Sequence, residues 1–443
     1  MTTNYSFKSM LKKYVSSSTI LILCSIFALV CANSPLKEAY FQFWNQPVSL
    51  SLGNFNLFSH GGHTMSLMAV INDFLMALFF LSVGLEIKRE ILVGELSSPQ
   101  KALLPIIGAC GGMLVPVIVF WLVCPADAQM LRGMAIPMAT DIAFSLGVLS
   151  VFSKRVPIGL KVFLAALAVA DDLGGIIVIA IFYSSQINTM YLALSLCCVV
   201  LLIIGNMRKQ TAKSYYLAIG LVLWYFMLNS GIHATIAGVI VAFCVPASLR
   251  KGATYYIERI RENINTFPVL EVAGKHNTVV LSNDEIHKLK SIESAADKLI
   301  SPLQDLEDGM TRLIGFVIIP LFAFANVGID LAGMSVSTLF TGVGLPVMLG
   351  LVIGKFVGVF TFSWVAVKCR IVGLPGGCNW SSFAAVCMVC GIGLTVSIFI
   401  ADLSYASLEG GAAMLGQAKI GILCGSLVSA VVGMFLLNRY LPK

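Results

Sequence analysis

The sequence predicts an all-α polytopic membrane protein of about twelve transmembrane helices. They are arranged as two inverted-topology repeats, with two broken, crossing helices in spans 4 and 11. Three observations carry this expectation. Of 443 residues, 58% are apolar and only 12% charged, with a mean hydropathy of +0.90, whereas a soluble domain carries roughly a quarter charged residues. Apolar windows approaching or exceeding the ~18–20 residues that cross a bilayer recur along the chain. The basic residues gather on one side of those windows, as they do at a cytoplasmic face.

The windows centre near 18–33, 64–87, 102–123, 133–152, 158–183, 190–207, 214–229, 231–246, 313–328, 341–367, 378–401 and 412–437. Lys8, Lys12 and Lys13 precede the first. Lys88, Arg89 and Lys101 follow the second, Lys154, Arg155 and Lys161 the fourth, and Arg208, Lys209 and Lys213 the sixth. The 250–312 stretch after the eighth is rich in both types, Lys368 and Arg370 follow the tenth, and Arg439 and Lys443 the twelfth. Only Lys37, Arg132 and Lys419 fall on the other side, and Lys355 lies inside a span. Both termini are therefore expected in the cytoplasm. The +7 net charge follows from this topology and implies no nucleic-acid partner. The basic start and ALVCANS also resemble a signal peptide; its removal would leave the remaining topology unchanged.

Three regions follow. Residues 1–246 hold spans 1–8, with the first inverted repeat at about 101–183, and residues 311–443 hold spans 9–12, with the second at about 341–437. Between them, 247–310 reads as a cytoplasmic linker of mixed charge (IERIREN, NDEIHKLKSIE). Its S-N-D-E at 282–285 is a capping-box pattern. Ile286, Leu289, Ile292, Ala296 and Leu299 follow at helical spacing, predicting an amphipathic helix that ends near Pro302. Most of the twelve cysteines lie inside spans, where cysteine packs as a small hydrophobe. The C-x-x-C of Cys387 and Cys390 sits in an apolar helix and reads as packing.

The fourth span, GMAIPMATDIAFSLGVLSVF, contains Pro137, which cannot donate a backbone hydrogen bond. Thr140 and Asp141 follow, residue types that cap helix starts. A cap in mid-membrane predicts that one half-helix stops and another begins. The eleventh span breaks similarly at Gly391 and Gly393 before Thr395. The charge-derived topology runs these spans in opposite directions. Paired interruptions in inverted halves mark a secondary transporter with its site at the midplane.

The fifth span, ALAVADDLGGIIVIAIFY, carries adjacent Asp171 and Asp172. An intramembrane carboxylate costs about 2.5–3.5 kcal/mol on the mild insertion scale, so a pair calls for a function. Adjacent helical residues point about 100° apart, which assigns them separate tasks. One can line a cavity with Asp141 while the other pairs with a cation such as Lys355. That lysine is ~15 Å from either end of its span, too deep to snorkel, and suits the negative ends of broken helices. Carboxylates, a threonine and exposed carbonyls form a hard-oxygen site for a hard cation. Neighbouring buried carboxylates also take up protons. A site that holds Na⁺ or H⁺ but not both, and faces one side at a time, is an exchanger.

INDFLMALFFLSVGLEIKRE, MATDIAFSLGVL, ADDLGGIIVIAIFY, GIHATIAGVIVAF, IIPLFAFANVGI and GIGLTVSIFIA together resemble the NhaA family of bacterial sodium/proton antiporters, over nearly the whole chain apart from 250–300. Broken helices in inverted repeats are described for NhaA itself, so that pattern is not independent of the resemblance. The resemblance implies a multi-pass inner-membrane transporter, not an enzyme. It would be an electrogenic antiporter exporting Na⁺ or Li⁺ for protons, usually two per sodium, serving pH homeostasis and salt tolerance. No cofactor is implied beyond the transported ions, and the family's habit suggests a homodimer, for which the 34–62 loop could supply an outward hairpin. By its motifs, Asp141 and Asp172 would bind the ion with Thr140 nearby, and Asp171 with Lys355 would carry protons. Asp73, Glu86, Arg89, Glu90, His233 and Glu307 would form the cytoplasmic funnel and pH-responsive region. Glu86 and Glu90 are an i,i+4 like-charge pair, so their titration should be coupled.

The chain departs from the family right after Glu307. Where many members have E-H-x-x-H-P, it has Glu307-Asp308-Gly309-Met310-Thr311-Arg312. Both histidines, which titrate near neutrality, are missing, so the pH profile is expected to be shifted or flattened. Two other classes fit less well. An intramembrane aspartyl protease would need a G-x-G-D arrangement, and a metalloprotease H-E-x-x-H; neither is present. A sodium-coupled symporter of an organic anion is the nearer rival.

Overall fold

The computed structural model describes residues 17–441 except 54, 61–62, 126, 153–154, 184–186, 250–251, 268–280, 331–339, 341 and 407. Lys8, Lys12, Lys13, Lys154 and Lys443, used above to orient the chain, lie outside the described residues. Each apolar window contains helix. The elements are α1 (Ser17–Ala32), α2 (Lys37–Trp44), α3 (Leu67–Leu92), α4 (Pro99–Val123), a 3₁₀ stretch (Met130–Met138) leading to α5 (Ile142–Val151), α6 (Ile158–Phe182) and α7 (Thr189–Met207). Then come α8 (Lys213–Ser230), α9 (Ile236–Cys244), α10 (Ala253–Asn265), α11 (Asn283–Asp297), α12 (Pro302–Asn326), α13 (Gly344–Lys368), α14 (Trp380–Val389), α15 (Leu394–Tyr405) and α16 (Gly411–Tyr440). Among the described residues, seven helices are each long and apolar enough to cross a membrane, or up to ten if each of three bent pairs is one span.

Some details differ from the sequence reading. The loop after α1 contains α2, bent 114° from it, and two two-residue antiparallel ladders, Ser51 opposite Asn56 and Ser59 opposite Thr64. The eighth window is helical only from Ile236, because Gly231 ends α8 in the left-handed region at φ 87°, where lacking Cβ is an advantage. The ninth helix begins at Pro302, before its apolar window, because Pro302–Leu313 is amphipathic and buries only Leu303, Leu306, Glu307 and Met310 beside Pro302. The linker holds two helices, α10 and α11, instead of one. Its base is tied where Leu303 N–H donates to the Pro246 carbonyl at 3.2 Å.

The capping box at α11 forms: Ser282 Oγ accepts from Glu285 N–H, and Glu285 Oε2 accepts from Ser282 N–H at 2.6 Å. These bonds, the Ser282 backbone first, hold the Glu285 carboxyl below its usual range. A depressed folded value means that the cap contributes fully above the unfolded carboxyl's pKa and is lost as pH falls through the folded one. Amide protection in the first turn of α11 is therefore expected to decline in hydrogen exchange as pH drops below 4.5. Protection that stays level there would exclude Glu285 from the cap.

Apolar packing places three interiors. One surrounds the broken helices with α1, α3 and α12; a second joins α3 to α7–α9; a third joins α4 and α6 to α13 and α14. The approach of α4 to α13 matters most for the site. A Cβ on Gly111 would come within 2.3 Å of the Gly358 carbonyl, and one on Gly358 within 2.2 Å of the Gly111 carbonyl. Paired glycines let membrane helices touch backbone to backbone. That closeness carries Lys355 over to the 3₁₀ stretch.

Candidate ion-binding site

The two bent pairs are interrupted at residues 139–141 and 390–393, with bends of 41° and 45°. They meet at these breaks and satisfy each other's broken backbone. Asp141 N–H donates to the Ile392 carbonyl at 2.7 Å. Ser145 Oγ of α5 donates to the Val389 carbonyl at 3.3 Å, and Ser397 Oγ of α15 to the Ile136 carbonyl at 2.8 Å. Each half-helix thus covers a carbonyl at the end of the opposite one, where no intrahelical donor exists. Gly393 is needed for the approach, since a Cβ there would sit 2.8 Å from the Ala139 carbonyl oxygen.

Asp141 caps both half-helices that begin at the breaks. Its Oδ1 accepts from Phe144 N–H at 3.1 Å. Its Oδ2 accepts from Thr395 N–H at 3.1 Å and Thr395 Oγ at 2.6 Å. One negative charge therefore faces two positive helix ends. Lys355, fully buried, does the converse. It donates to the Met138 carbonyl at the end of the 3₁₀ stretch and to Asp171 Oδ2 at 2.7 Å. Thr140 Oγ lies 2.8 Å from the same Asp171 oxygen and 3.0 Å from the Cys390 carbonyl.

Asp172 is 4% exposed, and its buried Oδ1, like that of Asp171, has no hydrogen-bond partner among the described residues. It differs from Asp171, whose Oδ2 takes Lys355 and Thr140. Asp171, Asp141, Glu86 and Lys355 lie within electrostatic reach. A buried carboxylate oxygen left without a donor is costly and is chemically suited to a hard cation or a proton. No group of three or more His, Cys, Asp or Glu is arranged to hold a metal among the described residues.

Glu86, Arg89 and Glu90 stand together at the far end of α3 with Glu307. Arg89 pairs with Glu307 Oε1 at 2.9 Å and with Glu90 Oε1 at 3.0 Å. Asp308 and Thr311, where the resemblance led to an expectation of histidines, are exposed. Asp73 and His233 stand apart from this group. Asp73 precedes Glu86 by about 20 Å along α3, so one rigid helix separates them. His233 Nε2 lies 3.8 Å from Asp73 Oδ1.

Thr395, Ser145, Ser397, Asn72, Asn326 and Asp402 were not singled out as site residues. The signal available for them was polarity inside apolar spans. Their pairing needed the fold.

Two interrupted helices crossing at buried carboxylates, in an all-helical chain of this apolarity, define a polytopic membrane protein of the secondary-transporter class. The family model described as Na⁺/H⁺ antiporter 1 matches residues 8–437. The chain is 48% identical over 443 residues to a Na⁺/H⁺ antiporter NhaA of Bacteroides fragilis, covering 100% of both. It is 48% identical over 428 residues to one of Bacteroides thetaiotaomicron (97% of this chain, 96% of that) and 45% over 424 residues to one of Porphyromonas gingivalis (96% and 93%). The chain belongs to the NhaA family of Na⁺/H⁺ antiporters.

Proposed function

We propose that the chain is an electrogenic antiporter that exports Na⁺, or Li⁺, in exchange for protons, two per sodium, across the bacterial inner membrane. The observation that carries this reading is the unpartnered, buried Oδ1 of Asp172 beside the crossed helix breaks. Asp172 is the principal ion ligand. Asp141 holds the two half-helices in place and adds charge, and Thr140 adds a hydroxyl. Na⁺ and H⁺ compete for Asp172, which couples their movements. The second proton travels on the Asp171–Lys355 pair, since protonating Asp171 releases the Lys355 ion pair. Twelve spans, of which 3–5 and 10–12 form two inverted triplets, with both termini cytoplasmic, let one bundle rock against the other around this site. The 34–62 loop would supply a homodimer contact.

The test is a fluorescent ΔpH measurement in everted vesicles, with Na⁺, Li⁺ or K⁺ added from about pH 6.5 to about pH 9 across the histidine titration range. Na⁺ and Li⁺ should collapse the gradient and K⁺ should not. With Asp308 and Thr311 in place of histidines, the alkaline rise should be shifted or flattened. A gradient untouched by Na⁺ at any pH would sink the exchanger reading and favour a symporter.

A further inference from the structure

A second polar cluster is buried between α3, α12, α15 and α16, away from the breaks. Asn72 and Asn326 are 4% and 1% exposed and exchange hydrogen bonds at 2.7 and 3.3 Å. Asn72 Nδ2 also donates to Asp402 Oδ2 at 2.8 Å. Asp73, the next residue of α3, faces His233, and Lys419 of α16 lies within electrostatic reach of Asp402. Polar groups at membrane depth are costly and mark ion routes.

Helix register connects this cluster to the site. Asp402 is seven residues beyond Thr395 on α15. At 3.6 residues per turn the two share one face, ~10 Å apart. The face that holds Asp141 thus continues to Asp402. The Lys and Arg asymmetry points that direction outward. Asp73 and Asp402, with His233 beside the first and Lys419 near the second, bring carboxylates and basic side chains together here. Lys419 keeps the cluster from holding a cation tightly, and transit needs binding that is favourable but weak enough to release. The Asp73 side chain in this cluster is 23% exposed, whereas that of Asp171 at the breaks is 0%.

We propose that Asp402, held by Asn72 and its Asn326 partner, is a positioning residue on the outer half of the exchange path. It receives a sodium ion leaving Asp172 outward and captures one arriving from outside. This rests on the exchanger reading and the charge-derived orientation. Half-saturating Na⁺ should be measured on each face, using everted vesicles for the cytoplasmic face and right-side-out vesicles for the outer one. Asp402→Asn keeps an acceptor for Asn72 and removes the charge. It is expected to raise the outer-face value about tenfold relative to the cytoplasmic-face one. Asp402→Glu should restore the outer-face value, and Asn72→Ala should reproduce the defect. An equal shift on both faces, a shift on the cytoplasmic face alone, or no shift would overturn the assignment. If wild-type vesicles show no sodium-dependent proton movement on either face, the exchanger reading itself falls, which separates the two failures.

Discussion

Asp172→Asn is expected to reduce Na⁺-dependent collapse of the pH gradient by about 100-fold or more. The substitution keeps shape and volume but removes the negative charge whose Oδ1 is buried without a partner. A charge-assisted contact is worth about 1.5–3 kcal/mol, and each 1.4 kcal/mol is a tenfold change. Losing both an ion ligand and a proton acceptor takes the effect to the upper end. The variant should fold, since no hydrogen bond to Asp172 Oδ1 is lost and a neutral amide is easier to bury than a carboxylate. Membrane yield and thermal stability of the purified chain should therefore match wild type while exchange disappears. Retained exchange at normal yield would remove Asp172 from the ion site.

Lys355→Ala should act in the opposite way, on stability before transport. The ammonium is 0% exposed and satisfies both Asp171 and the Met138 carbonyl. Removing one partner of a buried ion pair costs about 3–5 kcal/mol, because the other charge is left uncompensated. The unfolding temperature of the purified protein should drop markedly. Replacing both partners by apolar residues of similar volume is often neutral. The double variant Lys355→Met, Asp171→Leu should therefore recover much of the loss, although it remains inactive. A Lys355→Ala protein as stable as wild type would mean that Asp171 does not carry its charge in the folded state.

Both expectations draw on features legible at different levels. The break of the fourth span could be read from Pro137, Thr140 and Asp141, because helix termination and capping are local chemistry. The separate tasks of Asp171 and Asp172 followed from helical geometry alone. That Met130–Met138 would wind as a 3₁₀ helix was not legible, since propensities do not separate such a stretch from α. The distance between Asp73 and Glu86 was not legible either, for another reason. A motif match assigns residues to a region without saying how far along a rigid helix they stand.

Composition and charge asymmetry by themselves determined a helical membrane protein, the positions of its apolar spans and the places where two of them break. These depend on transfer energies and backbone chemistry summed over neighbouring residues, which any linear reading contains. The tertiary structure decided which groups meet across long separations. Asp141 reaches Thr395, Lys355 reaches Asp171, and Asn72 reaches Asp402, each through helix contacts such as the glycine approach of α4 and α13. It also decided that Asp171 would be paired with Lys355 through one oxygen, whereas no ion pair reaches the neighbouring Asp172 among the described residues. Two adjacent aspartates are chemically identical in the chain and become different only when the surrounding helices supply a cation to one of them.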